Sequence, residues 1–289
     1  MLKVKIGGVP EHFNYPWHLA TESKAFSQQG IDLDWTDYGT GTGAMCGDLN
    51  NGKLDMAVIL TEGAVNALAH KADFRIIKTY VQSPLLWGIH VPKDSKINSI
   101  NDINGQTYAI SRYGSGSHLM AIVDAQIRGW ETANIEFKVV NNLLGAVESF
   151  KKKESSVFFW EKYTTKPYVD SGDFKLLGIR PTPWPSFVLV ANNKFLEKHK
   201  NTVLKISSTV SEFCRIAKEE GDHSIKEISK RYGLLPKDVK SWFKDIEWSY
   251  TNEVSKKDLQ YIAKILYQLK LTESIPKSTS MVSGLTKLK

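Results

Sequence analysis

Cysteine is nearly absent: Cys46 and Cys214 are the two in 289 residues, and they lie far apart in the chain. A disulfide scaffold and a thiolate metal centre are therefore not supported. No stretch approaches the roughly 18 consecutive apolar residues that a membrane-spanning helix needs. The opening Met1-Leu2-Lys3-Val4-Lys5-Ile6 alternates apolar and polar residues. It reads at once as a strand, without the basic and apolar regions of a secretion leader. As written the chain is expected in the cytoplasm, or in the periplasm or on a lipid anchor if a leader has been removed. Catalytic motifs are missing too. There is no HExxH, CxxC, P-loop, GxSxG or EF-hand pattern, and the seven histidines show no metal-ligand spacing. No metal, no cofactor and no catalytic residue is expected.

What is present is the composition of an ordinary globular protein, 42% hydrophobic and 24% charged. The length suits one large or two modest domains. The net charge of +7 raises the question of an anionic partner. Counted by segment, residues 1–193 hold 19 basic and 19 acidic side chains, and residues 194–289 hold 19 and 12. The excess thus sits in the C-terminal third. Its basic residues are interleaved with acids and form no stripe with aromatics in the linear sequence, so nucleic acid is not expected as a partner.

The first 190 residues alternate strand and helix patterns, which predicts α/β architecture with parallel sheets of βαβ units. Strands are predicted at Leu2–Gly8, Ile31–Gly39, Met56–Thr61, Phe74–Gln82, Leu86–Lys93, Thr107–Tyr113, Ile135–Asn141, Val157–Glu161, Phe174–Arg180 and Phe187–Ala191. Helices are predicted between them, the first over Pro16–Gln28. From Lys194 on, apolar residues recur at helical spacing, as in Val203, Ile206, Val210, Phe213 and Ala217, and again in Leu259, Ile262, Ile265, Leu266 and Leu269. Proline-marked crossings at Gln82-Ser83-Pro84 and at Pro181–Pro185 divide the chain. They imply a discontinuous first lobe, 1–85 with 186–289, and an inserted second lobe, 86–185. Two linking segments of this kind can act as a hinge.

Open α/β sheets place ligands at the C-terminal ends of their strands. The candidate ligand contacts are therefore the residues of those loops. After the first strand come His12, Asn14 and Tyr15, and after the second the Gly39-Thr40-Gly41 run, whose backbone permits close approach. Thr61 and Glu62 follow the third strand. In the second series, Arg112 could pair an anion, and Ser115 and Ser117 open a helix whose amides could bind one. An ordinary serine N-cap explains that turn equally well. Trp160 and Trp184 could be flat walls for an aromatic ligand, although each would also suit a core. Glu62 and Glu161 could accept from an amine, or be helix-start carboxylates favoured by the dipole.

Taken in order, these stretches resemble the type II periplasmic substrate-binding proteins of the nitrate/sulfonate/taurine and thiamine-pyrimidine (NMT1-like) group. The carrying segments are Tyr15–Ala20, Lys24–Leu33, Gly39–Gly41, Asn51–Ala57, Val91–Ser95, Ile103–Gln106, Tyr113–Ser117 and Phe159–Lys162. The resemblance implies a two-lobed Venus flytrap with a helical C-terminal tail. Its function would be to bind a small organic solute by hinge closure, in the manner of an ABC importer's binding protein. A heteroaromatic amine such as a pyrimidine, or a sulfonate-like ligand, would suit the loops. An ABC permease is then the implied partner, and the chain is expected to be monomeric and not to span a membrane. The alternative is a cytoplasmic enzyme of thiamine-pyrimidine or quinone precursor synthesis on the same fold, with His12 or His118 as acid-base groups. The cysteine-rich signature of the fungal thiamine-pyrimidine synthases is missing.

Overall fold

A computed structural model describes residues 1–289. The chain opens with β1 (Leu2–Gly8), α1 (Tyr15–Glu22), β2 (Ile31–Asp37), α2 (Thr42–Asn50), β3 (Met56–Leu60), α3 (Thr61–Ala69) and β4 (Phe74–Val81). The middle of the chain forms β5 (Leu86–Pro92), β6 (Thr107–Ile110), α4 (Gly116–Ile127), β7 (Glu136–Val139), α5 (Leu143–Lys151), β8 (Val157–Glu161), α6 (Lys166–Asp170) and β9 (Phe174–Pro181). Then follow β10 (Phe187–Asn192), α7 (Asn193–Lys198), α8 (Lys200–Glu220), α9 (Asp222–Tyr232), α10 (Pro236–Asp245), β11 (Glu253–Val254), α11 (Lys256–Gln268), α12 (Ser278–Met281) and β12 (Lys287–Leu288). Two compact units result, one of Met1–Ser83 with Trp184–Lys289 and one of Pro84–Pro183.

The sheet of the first unit runs in the order β2-β1-β3-β10-β4, and that of the second in the order β7-β6-β8-β5-β9. The two orders are the same pattern written twice, with β3 matching β8 and β10 matching β5. Neither sheet is wholly parallel, contrary to the βαβ expectation. β10 runs antiparallel to β3 and β4, and β5 antiparallel to β8 and β9. Each of these two strands follows another strand with no helix between them. In both cases the preceding strand belongs to the other sheet. The strand is therefore the first laid down after the chain crosses between units and is not the product of a βαβ crossover within its own sheet.

The first helix also differs from the prediction. It ends at Glu22 because Lys24 turns left-handed (φ 58°), and Ala25 N–H closes back on the Ala20 carbonyl at 3.0 Å. The β6 strand stops at Ile110, short of the predicted Tyr113, because Ser111 N–H is taken by the Ser117 hydroxyl at 3.0 Å.

The C-terminal helices belong to the first unit because their apolar stripes are buried there. Val203, Ile206, Val210 and Ala217 of α8 are buried, with Cys214 taking the inward place predicted for half-buried Phe213. Polar ties fix the register. Lys78 of β4 is fully buried and donates to the Ser211 hydroxyl (2.5 Å) and the Ser249 carbonyl (2.8 Å). Burial lowers its pKa to about 8. The Phe13 carbonyl accepts from both Tyr80 Oη (2.7 Å) and Trp248 Nε1 (3.0 Å).

Candidate functional site

In the first unit the loops at the C-terminal ends of β1, β2 and β3 lie at one end of the sheet. Antiparallel β10 enters at that same end, since Phe187 pairs with Leu60. The entry segment is locked to α3: Thr61 N–H donates to the Ser186 carbonyl at 3.0 Å, and its hydroxyl to the Pro185 carbonyl at 2.6 Å. This brings Trp184 onto Glu62, whose Oε2 accepts from the indole Nε1 at 2.8 Å. Glu62 is 1% exposed, and its other oxygen, Oε1, is buried with no hydrogen-bond partner. Burial pushes its carboxyl up to about 7, against which the Trp184 bond and the backbone bond work only partly.

The neighbouring loop is held close by Thr42, which accepts Leu60 N–H at 3.2 Å. A Cβ on Gly63 would lie 2.4 Å from the Thr42 methyl, so α2 and α3 can start side by side only with glycine there. Gly63→Ala is expected to cost about 1–3 kcal/mol through overpacking, with much of it recovered in Gly63→Ala/Thr42→Ser, measured by urea unfolding. Gly41 caps α2 with φ 77°, and Gly39 and Thr40 are exposed beside it.

His12, Asn14 and Tyr15 are placed differently. The His12 ring is buried against Trp242 (4.3 Å, edge-on), Phe13 (4.5 Å) and Tyr232 (6.3 Å), and burial lowers its pKa to about 3. Tyr15 is buried, with its hydroxyl facing Ser224 of α9. These two residues serve to seat the C-terminal helices on the first unit. Asn14 Nδ2 donates to the Val9 carbonyl at 2.8 Å while its Oδ1 is buried without a partner.

The second unit repeats the arrangement on equivalent strands. Glu161 ends β8, as Glu62 follows β3, and it is 4% exposed. Its Oε2 accepts from Thr164 N–H (2.6 Å) and the Thr164 hydroxyl (2.8 Å), yet burial still raises its pKa. Opposite it in register on β5 stands Trp87, whose buried Nε1 has no partner. Trp87 was not singled out from the sequence. Its signal is its place on the strand that matches β10, the strand Trp184 precedes. Trp160 is half-buried and stacks on Phe158 at 5.1 Å, so it borders the core cluster of Phe150, Phe158 and Phe174.

The turn before α4 uses its serines internally. Ser115 Oγ caps His118 N–H (3.3 Å), and Ser117 Oγ accepts Ser111 N–H (3.0 Å) and bonds Ser115 Oγ (3.0 Å). The hydroxyls therefore build the loop. Arg112 is half-buried in the same loop. His118 accepts Gly114 N–H on Nδ1 at 3.1 Å, and burial lowers its pKa to about 4. His12 and His118, the two acid-base candidates of the enzyme reading, are thus both enclosed, and burial favours the neutral ring in each. No group of three or more His, Cys, Asp or Glu side chains could hold a metal, and no helix is long and apolar enough to cross a membrane.

Two α/β units with matching strand orders, joined by a double crossing, define the type II periplasmic-binding-protein fold. Residues 87–179 match the sequence model of the Ca3427-like family of these proteins. The Candida albicans CA3427 gene product, described as having the generic periplasmic binding protein fold, superposes with a TM-score of 0.89 at 24% identity, covering 100% of this chain and 98% of that one. The alkanesulfonate-binding protein SsuA from Xanthomonas axonopodis pv. citri, bound to MOPS, follows at 0.81 and 17% identity over 100% and 99%. The periplasmic nitrate-binding protein NrtA from Synechocystis PCC 6803 is similar at 0.77 and 14% identity, over 99% and 86%. No curated protein sequence matches the chain. The fold is thus the one that the sequence resemblance implied.

Proposed function

We propose that this chain is a solute-binding protein for a small organic molecule carrying an N–H donor, a heteroaromatic amine by first choice. The strand-end loops of both units would supply the contacts, and hinge motion at the two crossings would admit the solute. An ABC permease is the proposed partner and the monomer the proposed working state. The observation that carries this reading is Glu62 Oε1, a buried polar atom with no partner at the strand ends of the first unit. A buried polar atom without a partner costs about 1–3 kcal/mol, and a ligand that offers the missing group recovers it. Glu62 Oε1 calls for a donor, which the amino group of a heteroaromatic amine offers. The likeness to sulfonate and nitrate binders supports solute binding as the activity, while the two glutamates favour an amine over an anion.

The test is native mass spectrometry of the purified protein for a co-purified small molecule, followed by calorimetry with aminopyrimidines and alkanesulfonates. Aminopyrimidine binding is expected to weaken about tenfold or more in Glu62→Gln, because the amide turns a donor toward a donor. Tight alkanesulfonate binding that Glu62→Gln leaves unchanged would overturn the choice of ligand.

A further inference from the structure

The folded chain sorts the charges of its C-terminal third in a way the linear sequence hides. On α11 the exposed positions are Lys256, Lys257, Tyr261, Lys264, Tyr267 and Gln268, followed by exposed Lys270. Steps of three and four residues put Lys257, Tyr261, Lys264, Tyr267 and Gln268 along one face, and Lys270 lies just beyond the end of the helix. Tyr261 and Tyr267 are 44% and 48% exposed, too open for core residues. Lys257, Lys264 and Lys270 are exposed and make no ion pair with a neighbouring carboxylate. The expectation that the tail carries no stripe of bases and aromatics is therefore corrected: α11 has one, because its acids fall elsewhere. Asp258 is half-buried in the first turn.

The face ends in a hollow of about 850 Å³ where the C-termini of α3 and α11 meet. Its walls include His70, Lys71, Lys270, Glu273 and Thr272. Thr272 is 7% exposed, and its Oγ1 is buried with no hydrogen-bond partner. The loop that forms the far wall is pinned to α11 by Gln260 Nε2, which donates to the Pro276 carbonyl at 3.1 Å. Lys71 and Lys270 both hold left-handed backbone (φ 62° and 55°) at the two helix ends.

We propose that this face of α11, with the hollow at its end, is a docking surface for an acidic segment of another protein. Carboxylates of the segment pair with Lys257, Lys264 and Lys270, apolar side chains lie on Tyr261 and Tyr267, and the segment's end enters the hollow. Unpaired lysines interleaved with exposed tyrosines match alternating acidic and apolar residues. A nucleic-acid strand fits less well: the face has no arginine, and Glu273 at the hollow would repel a phosphate chain. A bilayer fits less well because the hollow is concave and the face lacks large aliphatic side chains to insert.

The test uses the whole chain with a fluorescein-labelled copolymer of glutamate and tyrosine as probe, read by anisotropy at low and physiological salt. The expected result is salt-sensitive binding that falls about tenfold or more in Lys257→Glu/Lys264→Glu/Lys270→Glu and about threefold in Tyr261→Ser/Tyr267→Ser. A charge-matched control, Lys200→Glu/Lys205→Glu/Lys240→Glu, alters exposed lysines outside α11 and should change binding less than about twofold. The neutral variant with glutamine at 257, 264 and 270 guards against misfolding and should fall between wild type and the reversal. Equal loss in the control, no copolymer binding, or tighter binding to a single-stranded oligonucleotide or to phosphatidylserine vesicles each overturns the proposal.

Discussion

Replacing Glu62 by glutamine is expected to make the unliganded protein more stable at pH 8 than wild type, and the difference should shrink as the pH is lowered to 4.5. The Glu62 carboxyl is raised from 4.5 to about 7 by burial. The folded chain therefore holds this proton across a range in which the unfolded chain has released it. Stability from this group is fully present below pH 4.5 and is lost as the pH climbs through 7. The gap corresponds to about 3 kcal/mol. Glutamine keeps an acceptor for Trp184 Nε1 without the charge, so its curve lacks that loss. Glu161 is raised for the same reason, and Glu161→Gln should act in the same direction. The wild-type profile alone cannot show the effect. His12, His90 and His118 are lowered by burial to about 3, 4 and 4, which makes stability rise with pH up to 6.5 and partly cancels the glutamates. The difference between variant and wild type removes that background. Urea midpoints at pH 4.5, 6 and 8 measure it, and a difference that stays flat with pH would mean that Glu62 is not held protonated.

These buried glutamates also show where sequence reasoning reached and where it stopped. Strand positions were legible because each is a run of four to eight residues between turn signals, and Val157–Glu161 agrees at both ends. The direction of β5 and β10 was not, because a residue pattern reports period and burial but not which way a strand runs against its neighbour. Glu62 and Trp184 were each visible as types, yet their 2.8 Å bond joins residues 122 apart. It exists only because β10 enters beside the end of β3. Trp87 was missed for the same reason, since its meaning depends on standing opposite Glu161. His12 and Tyr15 were found near a strand end, but the partners that claim them, Trp242 and Ser224, lie more than 200 residues away. The stripe on α11 escaped because a count along the chain cannot tell exposed bases from acids that fall on other faces.

A large loss of stability in the second unit is expected from truncating the polar side chain of Asp124. It sits in α4, is 1% exposed, and is held by two arginines. Arg128 donates from Nε at 2.8 Å and from Nη2 at 3.2 Å one turn along the helix, and Arg180 of β9 donates from Nε at 2.5 Å. The carboxylate thus ties the helix that opens with the Ser115–Ser117 turn to the strand that leads out of the unit at Pro181. Truncation in Asp124→Ala leaves two guanidinium groups facing each other across a buried gap. Losing one partner of such a buried pair costs about 3–5 kcal/mol. Because the arginine side chains keep 24% and 21% exposure, they can turn partly to water, which puts the expected loss at the lower end, about 3 kcal/mol. Arg180→Ala should cost less, about 1–2 kcal/mol, because Arg128 still satisfies Asp124 through two bonds. The order of the two losses is the test. Guanidinium chloride would screen the pair, so urea unfolding at low and moderate salt is the measurement. If Arg180→Ala costs as much as Asp124→Ala, the carboxylate is not the centre of the tie. If neither costs more than about 1 kcal/mol, the cluster behaves as a surface pair and α4 is held by its apolar face alone.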